Sequence, residues 1–283
     1  MQGFINAYKP SGDSSARIVN LVKKKFHVSK VGHMGTLDPM AQGVLPIAVG
    51  KATRMFDYFL QKNKTYVVKM QFGYFTDTLD KLGVVVQSDG AIPNKNQVQD
   101  ILHDFVGEID QLPPAYSAKN VNGTRAYKLA RSGQHVDLKP NKVLIEEILL
   151  LNMTHDVATL QVTCGSGTYI RSLVRDIALS LNTCATMIYL ERTKSGYFEV
   201  NEAINLELAE QSLEELIIPI PQVFPHIKCI EFDANATQKL CNGIGVKVFK
   251  KDGIYFALSQ EQLLGVVQIS NNYAKIKTYL KED

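Results

Sequence analysis

Apolar positions along the 283-residue chain fall into separate blocks of helical and strand spacing. Ile18, Leu21, Val22 and Phe26 follow Ser14-Ser15 at helical intervals, which predicts a capped helix. Residues 44–49 are short, apolar and closed by Gly50, as expected of buried backbone. Residues 66–72 and 84–86 predict strands around a polar loop at 76–80. Val98, Ile101, Leu102 and Phe105 share one face of a helix predicted over about 97–105, ended by Pro113-Pro114. A turn-rich stretch then runs to about 140, with Asn122-Gly123 and Ser132-Gly133 inside it. So long an irregular segment in a compact domain is more often a functional loop than a tether. Strands resume at 143–151 and 158–164, and a helix follows with Ile170, Leu173, Val174, Ile177, Ala178 and Leu181 as its buried stripe. Pro219, Pro221 and Pro225 mark a boundary. Beyond it, a short helix at 236–241 and several short strands predict a small β-barrel. Strands and helices without regular alternation predict an α+β fold.

Composition narrows the class. The chain is 45% hydrophobic and 21% charged, enough to bury a core and unlike a disordered tail. No apolar run approaches the ~20 residues of a membrane span. The first residues lack a basic segment followed by an apolar one, so a cytoplasmic protein is expected. Four cysteines without Cys-x-x-Cys spacing and six scattered histidines predict neither disulfides nor a metal site. Gly50-Lys51 fails as a phosphate-binding loop, because Leu45 and Ala52 occupy its required Gly and Ser/Thr positions. No cofactor is implied.

Charge is unevenly spread. Residues 1–64 hold eight lysines and two arginines against three aspartates, an excess of +7, so the remainder carries −4 to give the net +3. That asymmetry points to a basic surface facing phosphates.

Two clusters stand out. The first is Gly32-His33-Met34-Gly35-Thr36-Leu37-Asp38-Pro39, where glycines flank a histidine. Taken alone, Asp38-Pro39 reads as a helix cap followed by proline at the first helical position. The second is Gly167-Thr168-Tyr169-Ile170-Arg171-Ser172-Leu173, with Arg175 one turn beyond Arg171. Two arginines four residues apart repel on an isolated helix, unless one is neutralised from outside. Lys64-Thr65-Tyr66 adds a tyrosine opening a strand.

Five motifs in order make these clusters resemble the TruB-type family of tRNA pseudouridine synthases. They are Gly-His-x-Gly-x-Leu-Asp-Pro at 32–39, Lys-x-Tyr at 64–66, Thr-Asp-Thr-Leu-Asp at 76–80, Pro-Pro-x-Tyr-Ser-Ala at 113–118 and Gly-Thr-Tyr-Ile-Arg-Ser-Leu at 167–173. Tyr8-Lys9-Pro10 and Tyr189-Leu190 support them. The resemblance implies a mixed, mostly antiparallel sheet with flanking helices over 1–223, an RNA-binding loop insert at about 113–140, and a PUA-like barrel over 224–283. It implies isomerisation of uridine 55 in the tRNA T-loop without cofactor or guide RNA, and one catalytic set per chain makes a monomer sufficient. Asp38 falls on the catalytic carboxylate, Arg171 on its arginine partner, and His33, Tyr66, Tyr169 and Leu190 on substrate-contacting positions; Tyr66 is a catalytic candidate too, able to help remove the C5 proton. Lys9, Arg125, Lys128 and Arg131 are candidates for phosphate contacts. Tyr8, Gln42 and Glu191 depart from the Asp, Thr and Arg common in the family, and Lys119 sits one residue early.

Uridine and pseudouridine are isomers, so the missing cofactor motifs agree with the implied chemistry. A carboxylate can attack the base or ribose C1′, or take a ribose proton. The target base must first leave its stack, at a cost of a few kcal/mol. A competing expectation is a tRNA-folding chaperone in which Asp38 is incidental. A base-excising glycosidase would need a second carboxylate or water-activating base, and no motif offers one.

Overall fold

The computed structural model describes residues 1–281 apart from 61, 89, 118, 122 and 135; the side chains of Val121, Arg125, Ala130 and Arg131 also lie outside the described set. The larger sheet has nine strands. Its main path runs Gly3–Lys9, Gln42–Val49, Ala185–Ser195, Lys64–Phe72, Val157–Cys164, Asn141–Thr154, Gly107–Gln111. All neighbours on that path are antiparallel except Ala185–Ser195 against Gln42–Val49. This is the expected mixed, mostly antiparallel α+β sheet.

Alternation decides which face is covered. Along Lys64–Phe72 every second side chain, from Lys64 through Tyr66, Val68 and Met70 to Phe72, is buried. Ala158, Leu160, Val162 and Cys164 do the same on the next strand. Two helices cover this face: Ser15–Phe26 with Ile18 and Val22, and Ile170–Ser180 with Leu173, Val174 and Ile177. Ser14 caps the first helix by accepting from the Arg17 amide at 3.1 Å, and His27 ends it at φ 52°.

Several sequence expectations need adjustment. The helix expected over 97–105 is an α-helix Lys95–Ile101, opened by an Asn94–Gln97 capping box, then a 3-10 turn Leu102–Phe105. It ends before Pro113, because the strand Gly107–Gln111 intervenes; with Ile109 as its one large apolar residue, that strand gives no period-2 signal. The strand expected at 84–86 is Val85–Gln87, paired with Phe75–Thr76. The segment 113–140 contains a short pairing of Asn120–Val121 with Thr124–Arg125 and a helix Ala126–Arg131. No helix follows Asp38: the Ala41 amide closes a turn on the Asp38 carbonyl at 3.0 Å, and the strand at Gln42 begins at once.

The C-terminal part is a curled half-barrel of five strands, in the order Cys229–Glu231, Gly253–Ser259, Gln262–Ser270, Tyr273–Tyr279, Val246–Lys247. The helix Ala234–Cys241 packs with it around Phe232, Leu240, Leu264 and Val267. A second apolar cluster joins this sheet to the larger one. Phe4, Phe59 and Phe198 meet Phe224, Phe256, Val266 and Leu280, with ring centroids 5.9 Å apart for Phe4–Phe224 and 6.5 Å for Phe224–Phe256. The proline-rich stretch at 219–225 thus lies against core; Ile220, Val223 and Phe224 are all buried. Among the described residues no helix is long and apolar enough to cross a membrane.

Candidate active site

Asp38 lies on a turn whose backbone is bonded on both sides, mostly by side chains. Buried Ser15 accepts from the Leu37 amide at 2.9 Å and donates to the Leu37 carbonyl at 3.2 Å. The Gly12 amide and the Lys9 ammonium donate to the Pro39 carbonyl at 2.8 and 3.2 Å, and Ser11 donates to the Met40 carbonyl at 2.8 Å. The helix start and the first strand thereby fix a loop that has no regular structure of its own. Lys9 is 0% exposed, and its ammonium also bonds the carbonyls of Pro10 and Asp13. It is therefore a brace for the Asp38 turn and not a phosphate contact; burial pushes its pKa down to about 8.

Arg171 reaches this turn from the first turn of the helix Ile170–Ser180. Its Nη2 donates to Asp38 Oδ1 at 3.1 Å, and its Nε stands 2.9 Å from Oδ2 in an ion-pair approach that is not an aligned hydrogen bond. The arginine side chain is 5% exposed, the aspartate side chain 34%. One end of the pair is thus anchored in the protein and the other faces the cleft. Nη1 donates to the Thr78 carbonyl at 3.1 Å, Nη2 donates to the Tyr116 carbonyl at 3.0 Å, and Nη1 lies 3.7 Å from Asp80 Oδ2. One guanidinium gathers a carboxylate from each of two loops and a carbonyl from a third, a task suited to its planar fork of donors.

Two cavities flank Asp38. One, of about 320 Å³, is lined by Asp38, Arg171, Tyr66, Tyr169, Leu190, Lys64 and Arg192 among others. The second, of about 620 Å³, shares Asp38 and Arg171 and adds His33, Asp80 and Tyr116. The sequence candidates Asp38, Arg171, Tyr66, Tyr169 and Leu190 thus converge on one cavity, with His33 on its neighbour. His33 has a buried Nδ1 with no hydrogen-bond partner among the described residues, and burial followed by the Arg192 charge lowers its pKa. Burial raises the Tyr66 pKa above its ordinary value, so the phenol stays protonated at neutral pH.

Lys128 is exposed on the helix Ala126–Arg131, free of the burial that removes Lys9. The side chains of Arg125 and Arg131 lie outside the described residues.

Sequence reasoning gave no role to three residues of this site. Asp80 sits in the Thr-Asp-Thr-Leu-Asp motif with nothing in its spacing to link it to Arg171, which it approaches to 3.7 Å. Arg192, 1% exposed, bonds the carbonyls of Val44 and Gly35 at 2.7 and 3.1 Å beside Tyr66. Gly43 lets the two strands pair closely at Arg192: a Cβ there would stand 2.3 Å from the Arg192 carbonyl oxygen. Lys64 is buried with its ammonium on the Lys62 carbonyl at 2.6 Å and on the Ser166 hydroxyl, and burial lowers its pKa to about 8. Adjacency of Lys64 to Tyr66 and of Arg192 to Leu190 at strand period 2 was the available signal.

The departures from the family pattern also meet in space. Gln42 Nε2 donates to Tyr189 Oη at 3.2 Å and to Glu191 Oε1 at 3.3 Å, and Tyr189 donates to Glu191 Oε2 at 2.9 Å. Tyr8 lies close enough to feel the Glu191 charge, which adds to burial in raising its pKa. Lys119, one residue early, bonds Asn141 Oδ1 at 2.8 Å and the Lys139 carbonyl at 3.2 Å.

Comparison with known proteins bears on the family and the fold. Residues 23–170 match the N-terminal domain of the TruB family pseudouridylate synthases. The tRNA pseudouridine synthase B of Clostridium tetani is 38% identical over 98% of both chains. That of Clostridium perfringens is 42% identical over 88% of this chain and 85% of its own. Among solved structures, a Cbf5–Nop10–Gar1 complex is similar at TM-score 0.72 and 25% identity, covering 99% of this chain and 84% of that one. An H/ACA RNP bound to a substrate RNA containing 2′-deoxyuridine has the same fold, at TM-score 0.73 and 22% identity over 99% of this chain and 85% of that one. With the motifs, the fold and relatives of this length in agreement, the chain belongs to the TruB family of pseudouridylate synthases.

Proposed function

We propose that this protein isomerises uridine to pseudouridine at position 55 in the T-loop of tRNA, with Asp38 as the catalytic carboxylate. The observation that carries the reading is a half-exposed carboxylate held by a buried arginine at the junction of two cavities. In the reaction the N1–C1′ bond breaks, the base turns and a C5–C1′ bond forms. A proton leaves C5 and N1 gains one, so no electrons or water are exchanged overall. Asp38 can act on the base, on C1′ or on a ribose proton, and each route requires a charged, aimed carboxylate. Arg171 supplies the counter-charge and fixes the aim.

Tyr66 offers an aromatic face for the flipped uracil, a contact worth ~1–3 kcal/mol in single-strand binders. Tyr169 and Leu190 wall the same cavity, and His33 stands where it can enter the gap the base leaves. Lys128 and the basic N-terminal region supply salt-sensitive phosphate contacts, and the half-barrel at 224–283 adds grip as a PUA-like unit. The protein acts on tRNA as a cytoplasmic monomer, with no guide RNA. A carboxylate held by a buried arginine and turned to a cavity that would face anionic RNA serves no purpose in a folding chaperone, which favours catalysis.

The test is incubation of purified protein with an unmodified tRNA transcript, followed by mapping of pseudouridine. Conversion at position 55 alone is expected. Tight tRNA binding with no pseudouridine would leave the chaperone role in its place.

A further inference from the structure

We propose that Arg175 and Ser172 are positioning residues that act on Asp38 through the strap at 111–117. The inference rests on the isomerase reading above. Three bonds join the catalytic helix to the start of that strap. The Gln111 side-chain carbonyl accepts from the Tyr169 amide at 2.8 Å, occupying an orphan donor where the helix begins. Ser172 Oγ and Arg175 Nη2 both donate to the Leu112 carbonyl, at 2.8 and 3.0 Å. A fourth bond, Arg171 to the Tyr116 carbonyl, ties its far end to the arginine that holds Asp38.

Between these ties stand Pro113 and Pro114, both buried, whose rings fix φ and stiffen the link. A shift at Leu112 therefore moves the Tyr116 carbonyl, and with it a bond that sets the Arg171 fork. Ser117, directly beyond, lines both cavities. The arrangement also accounts for two arginines one turn apart. Arg171 meets Asp38 and Asp80, while Arg175 Nε pairs with Asp176 at 2.8 Å and its Nη2 is occupied by Leu112. Arg175 has an 18% exposed side chain and a local carboxylate partner, so it is poorly placed to serve as a phosphate contact.

The test compares wild type with Arg175→Ala, Arg175→Lys and Ser172→Ala in two measurements. In single-turnover assays at saturating protein, Arg175→Ala should convert tRNA roughly tenfold more slowly, the scale of a sub-ångström misplacement. Affinity for tRNA should stay within about twofold, since no phosphate contact is lost. Ser172→Ala should slow conversion less, and Arg175→Lys, which keeps one donor for Leu112, should recover part of the rate. Hydrogen exchange of the Leu112, Ala115, Tyr116 and Ser117 amides, and of the Tyr169 amide held by Gln111, needs no substrate and should quicken in both alanine variants. If Arg175→Ala does not fold, Ser172→Ala carries the test, because it removes only a hydroxyl. Weakened binding at an unchanged rate would make Arg175 a phosphate contact and overturn the proposal. Unchanged exchange would overturn it as well, as would an unchanged rate in an active enzyme. Inactive wild type in which exchange still quickens in the alanine variants would fail the isomerase reading and leave the strap itself standing.

Discussion

Replacing Arg171 by lysine keeps the charge and removes the geometry. Arginine meets Asp38, Asp80 and the carbonyls of Thr78 and Tyr116 from three nitrogens spread over one plane. A lysine ammonium offers three donors from a single point, so it can face Asp38 or the two carbonyls, not all of them. Leaving a buried acceptor without its donor costs about 1–3 kcal/mol, so Arg171→Lys should lower stability by that amount. The catalytic loss is separate and larger in consequence. Asp38 would keep a cation nearby but lose its fixed direction, and a misplacement of about 1 Å costs about 100-fold in rate. That is about 2.7 kcal/mol of transition-state stabilisation. The assay is single-turnover pseudouridine formation at saturating protein, with tRNA affinity measured at several salt concentrations. The rate should fall about 100-fold while affinity and its salt slope hardly change. Normal turnover with weaker, less salt-dependent binding would refute the reasoning and leave Asp38 in need of another partner.

Asp38→Asn should abolish isomerisation and leave tRNA binding intact or slightly tighter, as filter binding beside pseudouridine mapping will show; near-normal conversion would reduce Asp38 to a turn residue. Phe224 is 0% exposed among Phe4, Phe59 and Phe256. Phe224→Ala should therefore cost about 3–5 kcal/mol in urea unfolding, and a cost under 1 kcal/mol would show that the two sheets do not share a core. Lys64 has a folded-state pKa of about 8 against an ordinary 10.5. Between those values the unfolded chain holds a proton that the folded chain has released, so stability rises with pH across that window. Lys9 contributes in the same sense. Lys64→Met should reduce the rise in unfolding midpoint between pH 8 and 10; an unaltered rise would mean that Lys64 is not buried in solution.

What the sequence made legible was whatever local periodicity controls. The stripe Ile170, Leu173, Val174, Ile177 placed the helix that carries Arg171, and alternation along 66–72 sets Tyr66 on the buried face. The turn at Asp38 could not be read in this way. Its bonds come from Lys9, Ser11, Gly12 and Ser15, 22 to 30 positions before the groups they bond, so its local pattern reads as a helix cap. Lys9 shows the same gap from the other side. Counted as charge it belongs to a basic surface; as a buried ammonium saturated by carbonyls it belongs to the scaffold. Net charge reports what a region carries, while burial decides what that charge can touch.

The family departures make the strongest case for reading residues in space. At 8, 42 and 191 the chain has Tyr, Gln and Glu in place of the usual Asp, Thr and Arg, which along the sequence are three scattered changes. The parallel pairing of Gln42 with Glu191 makes them neighbours, and Tyr8 sits on the strand beside Gln42. In the usual pattern the acid lies near position 8 and the base at 191. Here the acid is at 191 and position 8 is neutral. A glutamate introduced alone would be an uncompensated charge close to an RNA-binding surface. This one is bonded by Tyr189 and Gln42, so its oxygens are occupied inside the protein. Leu190 and Arg192, at strand period 2 on either side of Glu191, line the cavity next to Asp38. The exchange thus lies on the opposite side of the strand from Leu190 and Arg192, and the hydrogen bonds to Glu191 hold it there without touching the cavity beside Asp38.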